Sequence, residues 1–540
     1  MCLGSSAKQD AASHRFSNLR VKNLIAQPSQ QLSTNAILFP FSHPRAQPAD
    51  IEHEQGISHV HISGAKLKPV SPWMAGSSCR SRSARLYQSS AAAPARANAT
   101  SSSSSSIPPK QSSVFTKLVV AGAIGGAVYY CREHLPLDIL KKEVASVAGA
   151  ALTDAQVDAL LSADSNSVLG SKDSIVVRCD TASLASTSGE DRTAAASFVL
   201  PGNRHATLFV VLDGHGGDKC VEIVQKHLGA SVYDATNTWF AVKDRQAIVS
   251  AAIKTAFERL DNDILNGAFL EITPNTKESV EDQKAKFAAQ IRQAVAGSCA
   301  LVALVDGSDL YVAATGDTRA ILGSRNDDGT FATIQMSEDQ RPDNLKERKR
   351  ILAEHPHEKE SDLLKPYTDV VNYGPDDRVL GYLAVTRAFG DAQFKWASEI
   401  LAALPTGSTR KTIEGSVSPP YLTASPVVTH RTITPNKDMF LVMATDGLTD
   451  ELKSTEAVSI VNGFLQNHGV AAASTNKTWG MDPFALGLGK WNLRTDTNAA
   501  TSLIRNALGG NSKTVGELLQ KPEERDDMTV KVVSSETTER

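Results

Sequence analysis

The sequence has few cysteines and no recognisable nucleotide-binding loop. Its six cysteines lie far apart without a Cys-x-x-Cys pair, so neither a disulfide framework nor a zinc site is indicated. Neither G-x-x-x-x-G-K-[ST] nor G-x-G-x-x-G after a predicted strand occurs, which excludes the usual phosphate-cradling loops. An uncharged stretch of 14 residues, 118–131, is shorter than the roughly 20 residues that a membrane-spanning helix needs.

Charge divides the chain into two unequal parts. Residues 1–132 carry 14 Lys and Arg against four Asp and Glu, a net charge of +10, and the remaining residues carry −13. A nucleic-acid-binding surface would need a stripe of Lys and Arg on the folded part of the chain. The acidic body therefore predicts that nucleic acid is not a partner.

The basic N-terminal part has the composition of a mitochondrial transit peptide. No acidic residue occurs between Glu54 and Glu133, and the segment from about 74 to 100 is rich in Arg, Ser and Ala. A serine run at 101–106 follows, typical of a low-complexity linker. Residues 1–113 are therefore expected to be disordered and to direct the protein to the mitochondrion, with a generic basic tail as the alternative.

An apolar stretch follows the serine run. Residues 114–131 reach the lower end of a spanning length if Lys117 extends its charge to the membrane surface. Tyr129 and Tyr130 suit the interface between lipid and water. We expect this stretch to anchor the protein in the inner mitochondrial membrane, with 132–150 as a linker; a buried helix of a soluble domain is the alternative.

Residues 151–536 are predicted to form one domain of short strands and helices. Apolar strand patterns meander around Asp-Gly and Gly-Asp turns. Helical patterns interrupt them at 217–229, 455–466 and 498–508. Meandering strands with helices set apart from them favour a layered α+β fold over an alternating βαβ sheet.

Acidic residues lie beside predicted strands at four places. They are Glu190-Asp191, Asp213-Gly214, Asp446-Gly447 with Asp450 beyond it, and Asp526-Asp527. One Asp-Gly turn means little, but four such junctions in one compact domain would bring like charges together and require a cation. Ligation by oxygen alone selects Mg²⁺ or Mn²⁺. Two such ions can activate a water for attack on phosphorus, and His215 is placed to protonate the leaving oxygen.

These sequences resemble the metal-dependent protein phosphatases of type 2C. Six blocks occur in the family's order: ED at 190–191, DGHGG at 213–217, GDTRA at 316–320, LAVTRAFGD at 383–391, ATDGLTDE at 444–451 and RDDMTV at 525–530. Together they cover roughly 150–535. The resemblance implies an α-β-β-α sandwich of antiparallel sheets flanked by helices. It also implies hydrolysis of phosphoserine or phosphothreonine on proteins.

The resemblance implies a role for each matched residue. The implied metal ligands are Glu190, Asp213, the carbonyl of Gly214, Asp446 and Asp526. Asp317 and Asp450 match positions linked to a third, weaker metal site. His215 matches the general acid. Arg387 is a candidate for ordering the phosphate, with packing in a tight turn as the alternative.

One position departs from the family pattern. The family has a phosphate-binding arginine four residues before the first glutamate, and this chain has Ser186 there. Arg178, Arg192 and Arg204 are candidates to compensate.

Several connecting sequences resemble the mitochondrial pyruvate dehydrogenase phosphatase branch, among them RAFGDAQFKW at 387–396 and PPYLTASPVVT at 419–429. The implied partner is a phosphoprotein, the phosphorylated dehydrogenase component of that complex. Two other functions stay open. A non-catalytic type 2C-like domain that binds a phosphoprotein would usually have lost metal ligands, and a metal phosphodiesterase or nucleotidase would usually carry histidine ligands.

Overall fold

The computed structural model describes residues 118–124, 127–132, 151–170, 174–200, 204–237, 244–267, 279–366, 377–402, 404, 413–468, 491–492 and 496–535. All of them belong to the compact unit Ile107–Arg540, and the unit Met1–Ser106 contains none. The transit-like segment, the serine run and residues 133–150 therefore lie outside the described part of the chain.

Strands make up most of the described regular structure. They are β1 (Leu118–Ile124), β2 (Ala127–Arg132), β3 (Ser165–Leu169), β4 (Val176–Leu184), β5 (Arg192–Leu200), β6 (Arg204–His215), β7 (Gly297–Asp306), β8 (Asp309–Thr315), β9 (Arg319–Arg325), β10 (Phe331–Gln335), β11 (Leu364–Pro366), β12 (Asp377–Val379), β13 (Phe389–Gly390), β14 (Val427–Thr432), β15 (Asp438–Ala444) and β16 (Met528–Ser535).

Helices connect these strands in the described segments. They are α1 (Asp154–Ser162), α2 (Asp218–Thr236), α3 (Arg245–Leu265), α4 (Val280–Val295), α5 (Leu345–Glu354), α6 (Glu360–Leu363), α7 (Ala392–Lys395), α8 (Ser398–Ala402), α9 (Asp446–Thr449), α10 (Ser454–His468), α11 (Ala499–Ala507) and α12 (Ser512–Leu519), with a 3₁₀ turn at Pro522–Glu524. The helices predicted at 217–229, 455–466 and 498–508 are thus confirmed as α2, α10 and α11.

Two antiparallel sheets carry the site. The first sheet has the order β1-β2-β5-β6-β7-β8-β14, with β13 also paired to β7, and the second has the order β10-β9-β15-β16-β4-β3. At the centre of the first sheet, every residue of β7 is buried, as expected for an apolar run covered on both faces. β6 pairs with β7 from Ala206↔Asp306 to His215↔Gly297, which fixes the register of the acidic end of β6.

Three apolar clusters define the layers. Phe209, Leu301 and Leu441 belong to the cluster between the two sheets. The other face of the first sheet packs on α2 and α3, which contribute residues such as Val224 and Ile253. The outer face of the second sheet packs on α1, α10, α11 and α12. The predicted α-β-β-α sandwich of antiparallel sheets flanked by helices is therefore confirmed.

The predicted spanning helix over 114–131 is wrong for the described part of that segment. Strands β1 and β2 form an antiparallel hairpin, and β2 continues the first sheet by pairing with β5 from Val128↔Ser197 to Arg132↔Thr193. In the sequence only Gly125 and Gly126 separate the strands, and Gly-Gly favours a hairpin turn and weakens a helix. Because these residues are strands of the domain's sheet, the inner-membrane anchor predicted from them is not supported.

Among the residues that the structure describes, no helix combines the length and the apolar character needed to cross a membrane.

Candidate metal centre

Three aspartates meet where the two sheets come together. Asp213 lies near the end of β6 in the first sheet, and Asp446 begins α9 directly after β15 of the second sheet. Asp317 lies in the turn between β8 and β9, where the chain passes from one sheet to the other. One carboxylate oxygen of each aspartate lies within 4.8 Å of the others. The structure thus brings together three of the predicted ligands, which we call the aspartate cluster.

Glycine permits a close backbone approach beside two of these aspartates. A Cβ on Gly214 would lie 2.6 Å from the carbonyl oxygen of Glu190, and a Cβ on Gly447 would overlap the carbonyl group of Asp527. A side chain at either position would therefore push the neighbouring acidic segment away. The Asp-Gly pairs serve packing at this site as well as turn formation.

Glu190 and Asp526 lie next to the cluster but outside its 4.8 Å group. Glu190 is half-buried and Asp526 is exposed. Burial is the first cause that raises the pKa of Glu190, and it is opposed by a hydrogen bond from the backbone N–H of Gly217. Asp526 is close enough to raise the pKa of Asp446. Both therefore remain predicted ligands at the border of the cluster.

Two neighbouring aspartates have structural partners that the sequence did not reveal. Asp527 accepts the backbone N–H of Ser186 at 2.5 Å and that of Glu190 at 2.6 Å. It therefore fixes the segment that carries Glu190. Asp191 is buried and accepts the hydroxyl of Thr445 at 2.9 Å. The sequence marks each of these aspartates only as the second residue of an acidic pair and does not show its hydrogen-bond partner.

Burial and mutual repulsion oppose ionisation in the cluster. Burial, followed by the charge of Asp446, raises the pKa of Asp213 well above its usual range. Burial, followed by Asp317 and Asp526, raises the pKa of Asp446 to about 7. Carboxylates placed this close ionise together when a cation balances them, and a donor set of oxygen alone suits Mg²⁺ or Mn²⁺. The residues present therefore fit a divalent cation.

In a chelator, the protein is expected to lose stability as the pH rises from about 4 to about 8. Asp446 has a pKa of about 7 in the folded protein against an ordinary value of 3.8. The stability contributed by its protonated form is fully present below about 4 and is lost as the pH rises through 7. Thermal melts in EDTA at pH 5 and pH 8 measure the loss. It should be smaller in Asp446→Asn, and an equal loss in both proteins would contradict this assignment.

His215 ends β6 beside the cluster and is held by Asp391. Its Nε2 lies 2.7 Å from Oδ2 of Asp391, a buried residue whose φ is +52°. A Cβ at position 297 would overlap both side chains, so Gly297 leaves the room for this pair. Burial alone would lower the pKa of His215, but the Asp391 carboxylate raises it overall. Sequence reasoning missed Asp391, although this residue ends the block LAVTRAFGD.

Arg387 lies in a buried ion pair. Its Nε and Nη2 donate to the two carboxylate oxygens of Glu347 at 2.9 and 2.6 Å, and its Nη1 donates to the carbonyl of Ser425 at 2.6 Å. These contacts join α5 to the segment before β14. They favour the packing alternative over the predicted role in ordering phosphate.

The arginines proposed to compensate for Ser186 also have protein partners. Arg178 donates to Asp180 at 2.6 Å, and Arg204 pairs with Asp306. Arg192 donates to the carbonyls of Gly189 and Asp191 at 2.7 and 2.9 Å. Of the three arginines, Arg192 is the nearest to Glu190 in sequence, and it contacts the residues on either side of Glu190.

An arginine that the sequence did not single out contacts the cluster directly. The Nε of Arg341 donates to Asp317 at 2.7 Å, and its Nη2 donates to Asp446 at 2.8 Å. The same Nη2 lies 3.6 Å from a carboxylate oxygen of Asp450. Arg341 stands in the segment SEDQRPDN, which matches none of the six blocks, so no sequence signal marked it.

Comparison with known proteins identifies the family. Residues 183–508 match the family model for protein phosphatase 2C. Human mitochondrial pyruvate dehydrogenase (acetyl-transferring) phosphatase 2 is 31% identical over 438 residues, which cover 66% of this chain and 78% of that protein. The human mitochondrial phosphatase 1 of the same name is 34% identical over 312 residues, 53% of this chain and 54% of that protein. The alignment thus spans about half of this second relative.

A solved structure of serine-threonine phosphatase 2C from Toxoplasma gondii is also similar, with 18% sequence identity and a TM-score of 0.43. The similarity covers 69% of this chain and 99% of that one. The family model alone matches more than half of the chain, and it spans the aspartate cluster and the His215–Asp391 pair. This confirms the resemblance drawn from the six sequence blocks: the chain belongs to the protein phosphatase 2C family.

Proposed function

We propose that this protein serine/threonine phosphatase requires Mg²⁺ or Mn²⁺ and acts on the phosphorylated pyruvate dehydrogenase component in the mitochondrion. The observation that carries the metal requirement is the aspartate cluster, in which three carboxylate oxygens lie within 4.8 Å of one another. Without a cation these groups oppose each other's ionisation. A phosphate, which is itself an anion, would be repelled by the charged cluster unless cations were bound there.

The ligands proposed for two divalent cations are Glu190, Asp213, the carbonyl of Gly214, Asp446 and Asp526. Bound there, Mg²⁺ or Mn²⁺ supplies positive charge to the phosphate and lowers the pKa of a water molecule. Asp527 supports this set by fixing the Glu190 segment through two backbone hydrogen bonds. The rigid ends of β6 and β15 fix Asp213 and Asp446, so the protein positions the ligands before substrate arrives.

The proton for the leaving oxygen is assigned to His215. Its Nε2 is occupied by Asp391 at 2.7 Å, so Nδ1 is the ring nitrogen left to donate to the serine or threonine oxygen of the product. Asp391 stabilises the imidazolium and favours the protonated form that a general acid needs. The pair thus holds a proton beside the cluster.

The substrate and the location rest on similarity. Both human relatives are named as mitochondrial pyruvate dehydrogenase phosphatases, and residues 74–100 have the composition of a transit peptide. A metal centre binds only the phosphate group, so the choice among phosphoproteins must come from the surrounding surface. The proposed substrate class is therefore phosphoserine on a protein, with the pyruvate dehydrogenase component as its specific member.

The test compares three phosphate substrates with the full chain in Mn²⁺ and in EDTA: the phosphorylated pyruvate dehydrogenase component, phosphorylated casein and AMP. We expect Mn²⁺-dependent hydrolysis of both phosphoproteins, fastest on the dehydrogenase component, and none of AMP. Equal rates on both phosphoproteins would remove the specific substrate. Hydrolysis of AMP alone would favour the nucleotidase alternative, and no hydrolysis at all would favour the non-catalytic binding domain.

A further inference from the structure

One guanidinium contacts all three carboxylates at the third metal position. The family resemblance links Asp317 and Asp450 to a third, weaker ion, and Asp446 lies beside both. Arg341 donates to Asp317 and Asp446 at 2.7 and 2.8 Å and lies 3.6 Å from Asp450. Its side chain is 26% exposed, so this contact is shielded from solvent on most sides.

The backbone holds Arg341 firmly against Asp317. The side-chain oxygen of the preceding residue, Gln340, accepts the backbone N–H of Gly316 at 2.7 Å. The backbone N–H of Gln340 donates to the carbonyl of Gly316 at 3.0 Å, and its own carbonyl accepts from Thr386 at 2.8 Å. The segment that carries Arg341 is thus bonded to the turn that carries Asp317, so the guanidinium is presented from a fixed position.

The charge of this guanidinium is permanent. Burial by itself lowers the pKa of Arg341. The charges of Asp317, Asp450 and Asp446 raise the pKa by more, so that it lies above its ordinary value overall. Arginine has a planar fork of donors that matches carboxylates. Asp317 has both oxygens engaged, since Oδ2 accepts from Arg341 and Oδ1 accepts from the thiol of Cys299 at 3.3 Å. A third divalent cation would have to compete with these donors for the same oxygens.

We propose that Arg341 is the fixed third cation of this centre and takes the position of the third divalent ion among Asp317, Asp446 and Asp450. The chain then binds two divalent cations through the ligand set proposed above, which includes Asp213 and Asp526. This inference rests on the proposed metal dependence. It assigns Arg341 as a positioning residue that orients Asp446 and neutralises charge, and it places no ion at Asp450.

The test counts bound Mn²⁺ per chain by equilibrium dialysis of the full-length protein at neutral pH. We expect two ions in the wild type and three in Arg341→Ala, because the freed carboxylates then form an open all-oxygen site. Adding Asp450→Asn to Arg341→Ala should return the count to two. The matched control is Arg348→Ala, whose guanidinium also joins two carboxylates, those of Glu360 and Asp377. This control should stay at two.

Three ions in the wild type would overturn the inference, and so would two in a folded Arg341→Ala protein. Arg341→Gln, which retains most of the side-chain length without the charge, is measured in parallel, and circular dichroism verifies the fold of each variant. The inference and the proposed function fail differently. A wild-type chain that binds no Mn²⁺ would contradict the proposed metal dependence, whereas a chain that binds three and hydrolyses phosphoserine would contradict only the role of Arg341.

Discussion

Asparagine in place of Asp213 is expected to abolish Mn²⁺-dependent hydrolysis of a phosphoserine peptide while leaving the sandwich folded. Asp213 lies two residues before the end of β6, a strand buried at the centre of the first sheet. Asparagine has nearly the same shape as aspartate, so we expect the fold to be retained. The substitution removes one anionic ligand from a metal site that has only a few anionic ligands. The loss should exceed the roughly 10–100-fold that is typical when only a hydrogen-bond partner of a metal ligand is removed.

Two further measurements make this prediction specific. In a chelator, the thermal stability of Asp213→Asn should equal or exceed that of the wild type, because the neutral amide relieves repulsion from Asp446 and Asp317. The control is Asp377→Asn, which removes a carboxylate paired with Arg348 and should keep full activity. Near-normal turnover by Asp213→Asn at ordinary Mn²⁺ concentrations would remove Asp213 from the ligand set.

Glutamine in place of His215 is expected to lower turnover of a phosphoserine peptide by roughly 10²–10⁴-fold, the range typical for loss of a general acid. Glutamine can still accept or donate a hydrogen bond beside Asp391, but it cannot carry the proton. The deficit should shrink on p-nitrophenyl phosphate, because an aryl leaving group needs little protonation. Parallel measurements of kcat on the two substrates, with Mn²⁺ affinity measured separately, check the effect.

The chain offers a matched control for this substitution. His430 also forms a pair with an aspartate, and its Nε2 lies 2.9 Å from Asp309, but it lies on β14 among residues outside the cluster. His430→Gln should leave both rates unchanged. If His215→Gln lowers the rates on the peptide and the aryl phosphate equally, His215 has a structural role and the proton donor must be sought elsewhere.

The parts of the site that were predictable from sequence are those fixed by local structure. Asp213 and Asp446 each follow a run of apolar residues and precede a glycine, so the strand pattern predicts their place near a sheet end. His215 lies two residues beyond Asp213 and is positioned by the same strand. The layered fold followed from the order of strand and helix patterns, and its α-β-β-α form from the family resemblance, both without knowledge of any contact.

The parts that were not predictable depend on contacts between distant segments. Arg341 and Asp446 are 105 residues apart, and His215 and Asp391 are 176 residues apart. No local pattern encodes either pair. The error at 114–131 has another cause. Small and apolar residues occur both in short spanning helices and in edge hairpins, and the strand partner that decides between them lies in β5.

Two members of the aspartate cluster come from opposite sides of the interface between the sheets: Asp213 lies on β6 of the first sheet, and Asp446 directly follows β15 of the second. A cation bound by both Asp213 and Asp446 would join the two sheets as a cross-link that the unfolded chain cannot form. Binding that is confined to the folded state adds RT ln(1 + [L]/Kd) to its stability, about 2.7 kcal/mol when the free ion is at a hundred times its Kd. The supply of divalent cation in its compartment would then govern how long the chain survives proteolysis as well as how fast it turns over substrate.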